Sequence, residues 1–212
     1  AFVNKLDRVV NKVINDLGIT MWRSEMYPNV PVNSNTDGDD GGNKLPHWHK
    51  QINTVKALKK TADEAGRPFK VLLTAWSPPA DFKIATNPES GLNNQSSTRG
   101  GEHKYGTKKG GTLDPEKYAD YAQWWIDGLN MYKNEAGVEV FAISLQNEPA
   151  FAQDYNSCIY TATWYREMID NVVPLIKKAH PNVKIFGTEE MLTDAIESRS
   201  LMTEFIYEDD SR

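Results

Sequence analysis

The sequence predicts an α/β fold of about four strand–helix units, part of a (β/α)8 (TIM) barrel, on three observations. Apolar runs of strand length alternate four times with stretches of helical spacing, the pattern of a parallel sheet with helical crossovers. The long polar segments follow strands and precede helices, whereas connections after helices are short. A barrel assembles its working face from just such loops at the carboxyl ends of its strands. No Gly-x-Gly-x-x-Gly turn follows any strand, so a dinucleotide-binding sheet lacks its main signature. A full barrel needs ~250 residues, and this chain has 212. One incomplete barrel domain over 1–212, lacking its N- and C-terminal parts, is therefore expected. An open four-strand sheet standing alone is the alternative, but it would expose edges that a closed barrel hides.

The elements follow in order. Val3, Leu6, Val9, Val10, Val13, Ile14 and Leu17 have helical spacing, and Gly18 supplies the stop. Residues 19–22 read as a short strand leading into Arg23-Ser24-Glu25-Met26-Tyr27-Pro28, then a polar loop over 29–46. A helix over 49–65 closes at Gly66, and 69–74 is a strand halted at Trp76-Ser77-Pro78-Pro79. Residues 81–113, rich in Gly, Asn, Ser and Thr, read as loop. Asp114-Pro115 then opens a helix, with Asp as N-cap and Pro at the first helical position, running to Ala136 and ended by Gly137. Residues 138–145 form a strand, 161–180 a helix broken at Pro181-Asn182, and 183–186 the last clear strand, leading to Gly187-Thr188-Glu189-Glu190. From 194 the tail reads as one more helix start.

Composition excludes several classes of function. With 39% hydrophobic and 25% charged residues the chain is ordinary for a soluble protein with a core. Its net charge of −5 has acids and bases interspersed, so no basic stripe awaits a nucleic acid. No apolar run approaches the ~20 residues needed to cross a bilayer. Ala1-Phe2-Val3-Asn4 enters a helical pattern without a signal peptide, as a mature secreted protein, a cytosolic protein or an internal fragment would. Cys158 is the only cysteine, which excludes an internal disulfide and reads as a packed side chain. His47-Trp48-His49 lacks a third metal ligand and reads as a loop-to-helix cap, with Trp48 packed or facing substrate. Asp37-Gly38-Asp39-Asp40-Gly41 lacks the spaced ligands and closing Glu of a calcium loop and reads as a solvated turn. Neither a metal nor a cofactor is expected.

Chemistry concentrates after the third strand. Phe141-Ala142-Ile143-Ser144-Leu145 is buried-strand sequence that delivers Gln146, Asn147 and Glu148 to the rim, where Pro149 breaks the strand. A carboxyl group there stands where barrels do their chemistry, and the amide beside it can hold a sugar hydroxyl.

Three segments, in order, resemble a known family. Ile143-Ser144-Leu145-Gln146-Asn147-Glu148-Pro149 resembles the Asn-Glu-Pro signature of the retaining (β/α)8 glycoside hydrolases. Thr74-Ala75-Trp76-Ser77-Pro78-Pro79-Ala80 is similar to the Trp-Ser-Pro-Pro-Ala stretch of glycoside hydrolase family 30, a group of xylanases, glucanases and galactanases. Tyr155-Asn156-Ser157-Cys158 resembles the Tyr-x-Ser-Cys segment of its xylanase branch, although agar- and porphyran-cleaving relatives carry comparable segments. The resemblance implies Glu148 as general acid/base and Asn147 as the neighbour binding the substrate 2-hydroxyl. It implies Arg23 as an arginine ending the second barrel strand and orienting carboxylates, with Trp76 and Tyr155 toward the sugar. The pattern departs in two places. Asp81-Phe82-Lys83 stands where Trp-Met-Lys is usual, and Ala150 follows Pro149 where an acid is common. Both bear on the substrate subsites.

A retaining mechanism needs a second carboxylate about 5–5.5 Å away as nucleophile. In this family it lies on the seventh strand, and the chain resembles strands two to five. The nucleophile is thus expected outside the chain, on a strand ending roughly 60–120 residues beyond Arg212 by ordinary barrel spacing. Glu189 and Glu190 are the rival candidates within it. Glu189 is read as a residue of the rim, binding sugar or sitting beside Glu148; an inverting pair of the two would need about 6.5–9.5 Å. The expected activity is endo-hydrolysis of a plant or algal polysaccharide, secreted or periplasmic by resemblance, and absent from the isolated fragment. Polysaccharide or oligosaccharide is the expected partner, together with the remainder of the barrel, and neither nucleic acid nor membrane is. The alternatives are a non-catalytic carbohydrate-binding fragment and an α/β enzyme using Glu189-Glu190 with a metal.

Overall fold

A computed structural model describes residues 2–27, 47–84, 111–149, 157–160 and 162–189. In chain order its elements are α1 (Phe2–Asn11), β1 (Met21–Met26), α2 (His47–Glu64), β2 (Lys70–Ala75), β3 (Lys83–Ile84), β4 (Thr112–Leu113), α3 (Tyr118–Met131), β5 (Ala142–Ser144), α4 (Ala162–Ala179) and β6 (Lys184–Phe186). Four strands form one sheet in the order β1-β2-β5-β6, every pair parallel. Neighbours in the sheet follow one another along the chain and are joined through helices, as in a strip cut from a barrel. The partial (β/α)8 architecture is thus as the alternation predicts.

Alternation along each strand separates two faces. Val71, Leu73 and Ala75 of β2 and Ile143 of β5 point to the helix side and join one apolar cluster with Trp48, Tyr121, Trp125, Tyr165 and Met168. Each of the larger aliphatic side chains removed from water contributes about 1.5–3 kcal/mol, so this layer holds the sheet to α2, α3 and α4. A smaller cluster of Val10, Ile14, Leu58 and Ala62 joins the first helical segment to α2. On the opposite face lie Met21, Arg23, Leu72 and Thr74.

Several boundaries differ from those the sequence predicts. β1 extends to Met26 rather than ending at Trp22, because parallel pairing from Met21↔Lys70 to Met26↔Ala75 holds the polar run Arg23-Ser24-Glu25 extended. Arg23 therefore sits inside its strand, not at its end. β5 spans only Ala142–Ser144, although Val138 and Val140 ahead of it are buried in the same core. The helix expected from Asp114 begins as a 3-10 turn over Pro115–Lys117, with Asp114 accepting from the Glu116 N–H at 3.0 Å. Beyond α3 the chain makes a π-helical turn at Tyr132–Ala136, closed by Gly137 in the left-handed region (φ 68°). The segment 81–113 is not wholly loop: a 3-10 turn at Ala80–Phe82 precedes an antiparallel ladder, Lys83 opposite Leu113 and Ile84 opposite Thr112. Trp48 is packed, 1% exposed, at the start of α2, and His49 Nε2 lies 2.8 Å from Asn53 Nδ2. The acidic run at 37–41 and the tail from 194 lie outside the described residues. Among the described residues no helix is long and apolar enough to cross a membrane.

Candidate active site

The carboxyl ends of the four strands bring together side chains far apart in sequence. β1 presents Arg23 on the face away from the helices. The end of β2 presents Thr74 on that face and then Trp76. Beyond β5 the chain stays paired for one more step: the Asn147 N–H donates to the Ala75 carbonyl at 2.7 Å, and Asn147 bridges Glu189 beyond β6.

Arg23 is the hub. Its Nε donates to Thr74 Oγ1 at 3.0 Å and its Nη2 to Asn147 Oδ1 at 2.8 Å. The same Nη2 lies 3.0 Å from Glu189 Oε1, in an ion pair whose side chains are 38% and 17% exposed. The guanidinium also stacks over Trp76, 4.5 Å from the ring centroid, so one indole face is already occupied. Spanning four groups from one side chain requires the planar fork of arginine; a lysine ammonium could not do it.

Asn147 is thereby oriented. With Oδ1 turned to Arg23, its Nδ2 faces the other way and donates to Glu148 Oε2 at 3.2 Å. Glu148 itself has φ 47°, the only positive φ of a non-glycine among the described residues. A side-chain-bearing residue in that region costs on the order of 1–3 kcal/mol and persists where neighbours impose it. Here the Glu148 N–H donates to the Glu189 carbonyl at 3.1 Å, and Pro149 follows. Glu148 remains partly exposed, so its carboxylate is held in place but still open to a ligand.

The site residues predicted from sequence separate clearly. Arg23, Trp76, Asn147, Glu148 and Glu189 come together at one end of the sheet; Tyr155 and Glu190 lie outside the described residues. Glu189 Oε1 is engaged by Arg23, and its Oε2 is buried with no hydrogen-bond partner among the described residues. Three residues escaped the sequence reading. Thr74 looked like ordinary strand, yet it anchors Arg23. Gln146, fully buried, donates through Nε2 to the carbonyls of Trp76 and Asn147 at 2.8 and 2.9 Å. Its place in the Gln-Asn-Glu-Pro run was the available signal. Lys83 reads in the sequence only as the lysine surviving from the family's Trp-Met-Lys, with no role given to it, and it is fully buried between Ser77 and Ser157.

Comparison with known proteins follows the same lines. No protein-family model matches the chain. Glucuronoxylanase XynC of Bacillus subtilis (strain 168) is 31% identical over 109 residues, 51% of this chain and 20% of that protein. XynC of Bacillus subtilis is 32% identical over 110 residues, again 20% of its length. The chain thus matches about a fifth of the curated relatives. Among solved structures, the endo-β1,6-glucanase BT3312 superposes with a TM-score of 0.71 at 20% identity, covering 96% of this chain and 43% of that one. The family 30 subfamily 8 xylanase Xyn30A of Clostridium acetobutylicum gives 0.59 at 24% identity over 87% of this chain and 38% of that one. The catalytic domain of the family 30 xylanase C of Talaromyces cellulolyticus gives 0.62 at 19% identity, over 93% and 44%. In sequence and in fold the chain is like the family 30 glycoside hydrolases.

Proposed function

With that likeness as premise, we propose that residues 1–212 are part of the catalytic domain of a retaining endo-glycoside hydrolase, with Glu148 as its acid/base. The single observation that carries the reading is Glu148 itself, held in a left-handed backbone conformation at a strand end while Asn147 donates to its carboxylate. Strain of this kind collects at functional sites, where the geometry it secures outweighs its cost.

The reaction has two steps. Glu148 protonates the departing glycosidic oxygen as a nucleophilic carboxylate attacks the anomeric carbon; it then takes a proton from water, which opens the glycosyl-enzyme. The nucleophile lies outside these residues, so the isolated segment binds sugar without cleaving it. Glu189 is a poor substitute, because one oxygen is taken by Arg23 and the other is buried. Its role is to anchor Arg23, which sets the amide of Asn147. Asn147 Nδ2 then serves both Glu148 and the sugar 2-hydroxyl, and the Trp76 face not covered by Arg23 receives the C–H patches of a pyranose. The substrate is a β-linked polysaccharide met outside the cell or in the periplasm, glucuronoxylan being the first to test because the sequence relatives carry that name.

In the full chain with its nucleophile, Glu148→Gln is expected to lower kcat/KM on glucuronoxylan or β-1,6-glucan by about 10²–10⁴, the usual contribution of a positioned acid/base. An activated dinitrophenyl glycoside, whose leaving group needs no proton, keeps its kcat/KM. Oligosaccharide binding with no cleavage, unchanged by Glu148→Gln, would establish a binding protein instead.

A further inference from the structure

We infer that Lys83 is a positioning residue that fixes Trp76 against Glu148, an inference that rests on Glu148 being the acid/base. Lys83 is fully buried. Its Nζ donates to Ser77 Oγ at 2.6 Å and to the Ser157 carbonyl at 2.7 Å. Those two contacts join the two segments that border the site. Ser77 directly follows Trp76, and its hydroxyl, accepting from Lys83, donates on to the Pro78 carbonyl at 3.0 Å. Ser157 begins the stretch that returns after Glu148. Three residues on, the Tyr160 N–H donates to the Pro149 carbonyl at 2.7 Å, next to Glu148. The Ile159 N–H donates to the Gly111 carbonyl at 2.7 Å, which ties the same stretch to the ladder that carries Lys83.

Trp76 is therefore held from two sides. Gln146, two residues before Glu148, holds its carbonyl at 2.8 Å. Lys83, through Ser77, couples the turn behind it to the stretch closing back onto Pro149. Together with Arg23, which stacks on the ring itself, this pair of ties sets the distance from the sugar-stacking ring to the acid. Burying an ammonium is costly unless its donors are met, and here they are met by Ser77 Oγ and the Ser157 carbonyl. The charge thereby secures geometry: two acceptors from different segments must both meet one small, fixed donor.

The consequence is specific. If the turn relaxes, a sugar still stacks on Trp76, but its glycosidic oxygen no longer lies within reach of Glu148. A displacement of about 1 Å costs about 10²-fold when a proton must be transferred. It costs little when the leaving group departs unaided.

The test uses the full chain with its nucleophile, comparing glucuronoxylan (or β-1,6-glucan, whichever the wild type cleaves) with a dinitrophenyl β-glycoside of the same sugar. Lys83→Met is expected to lower the Tm, because the Ser157 carbonyl loses its donor, and to lower kcat/KM on the polysaccharide roughly 10–100-fold. On the aryl glycoside it stays within about threefold, because the acid is dispensable there. Equal losses on both substrates mark a fold effect and overturn the inference, as does full activity on both. Should Lys83→Met not fold, Ser77→Ala decides, since it removes one acceptor and keeps the lysine. It should show the same split at a few-fold, and equal effects on the two substrates overturn the inference. Glu148→Gln run alongside keeps the two readings apart. Full polysaccharide activity there, or a wild type that cleaves neither polymer, removes the acid/base reading itself.

Discussion

Both ends of the four-stranded sheet carry ion pairs and a cation over an aromatic ring, yet the two are built differently. At the carboxyl ends Arg23 stacks on Trp76 and reaches Thr74, Asn147 and Glu189 together, so each contact constrains the next. At the amino ends Lys70 and Lys184 lie 4.1 and 5.7 Å from the Phe141 centroid, and Lys133 meets Glu139 at 2.9 Å beside His180. The Lys133–Glu139 side chains are 56% and 70% exposed. An ion pair in water contributes little because solvent competes with it. The same charges, half-buried and sharing acceptors, define where a carboxylate stands. The difference lies in connectivity, not in the number of charges.

Breaking the hub is the harshest way to test that contrast. Arg23→Met removes the donors to Thr74 and Asn147 and leaves Glu189 without its counter-charge. Loss of hydrogen bonds to a charged group costs about 1.5–3 kcal/mol in stability, read from denaturant midpoints. Activity of the full chain on polysaccharide should fall more than 10²-fold, as Asn147 becomes free to turn its amide away from Glu148. Arg23→Lys should recover little, because an ammonium cannot span the same acceptors. Near-wild-type activity in Arg23→Lys would mean that charge alone, not the fork, organises this end.

The two ends were also unequally legible. The fold was readable because the alternation of apolar strand and amphipathic helix is local: each core position of α3, such as Tyr121, Trp125 and Leu129, announces itself by spacing. The place of Glu148 beyond β5 was readable because Asn-Glu-Pro is a contiguous run at a strand end. The hub was only half readable. Arg23 sits 51 residues from Thr74 and 124 from Asn147, and no periodicity encodes such pairs. The polar run Arg23-Ser24-Glu25 even disguised the strand that carries it, since β1 owes its extended form to pairing with β2 rather than to apolar alternation. Lys83 was hidden as well. Nothing in the segment around it signals burial, and only three-dimensional closure with Ser77 and Ser157 buries it.

At the amino ends a substitution should do almost nothing. Lys133→Ala removes an exposed ion pair and should leave stability essentially unchanged, because solvent competes with such a pair, with activity on polysaccharide unaltered. Denaturant midpoints taken at low and high salt check this, because an exposed pair is screened and its small contribution should fade as salt is added. A loss comparable to that of Arg23→Met would erase the distinction between the two ends.

The finest test of that end is His180, where a small effect has a definite sign. Its ring is partly buried and Nε2 has no hydrogen-bond partner among the described residues. Burial, helped by the nearby Lys133 ammonium and opposed by Glu139, holds its pKa below the ordinary imidazole value of 6.5. Between the folded value and 6.5 the unfolded chain binds the proton that the folded chain refuses, so stability rises with pH across that window. The contribution is complete above 6.5 and is lost as pH falls through the folded pKa. His180→Gln does not titrate and should flatten this part of the Tm profile between about pH 5 and about pH 7.5, leaving the acid limb set by carboxylates unchanged. The pH dependence of polysaccharide cleavage should not move, since His180 stands at the far end of the strands from Glu148. A shift in the activity profile with no change in the Tm profile would link the two ends, contrary to the separation their connectivity predicts.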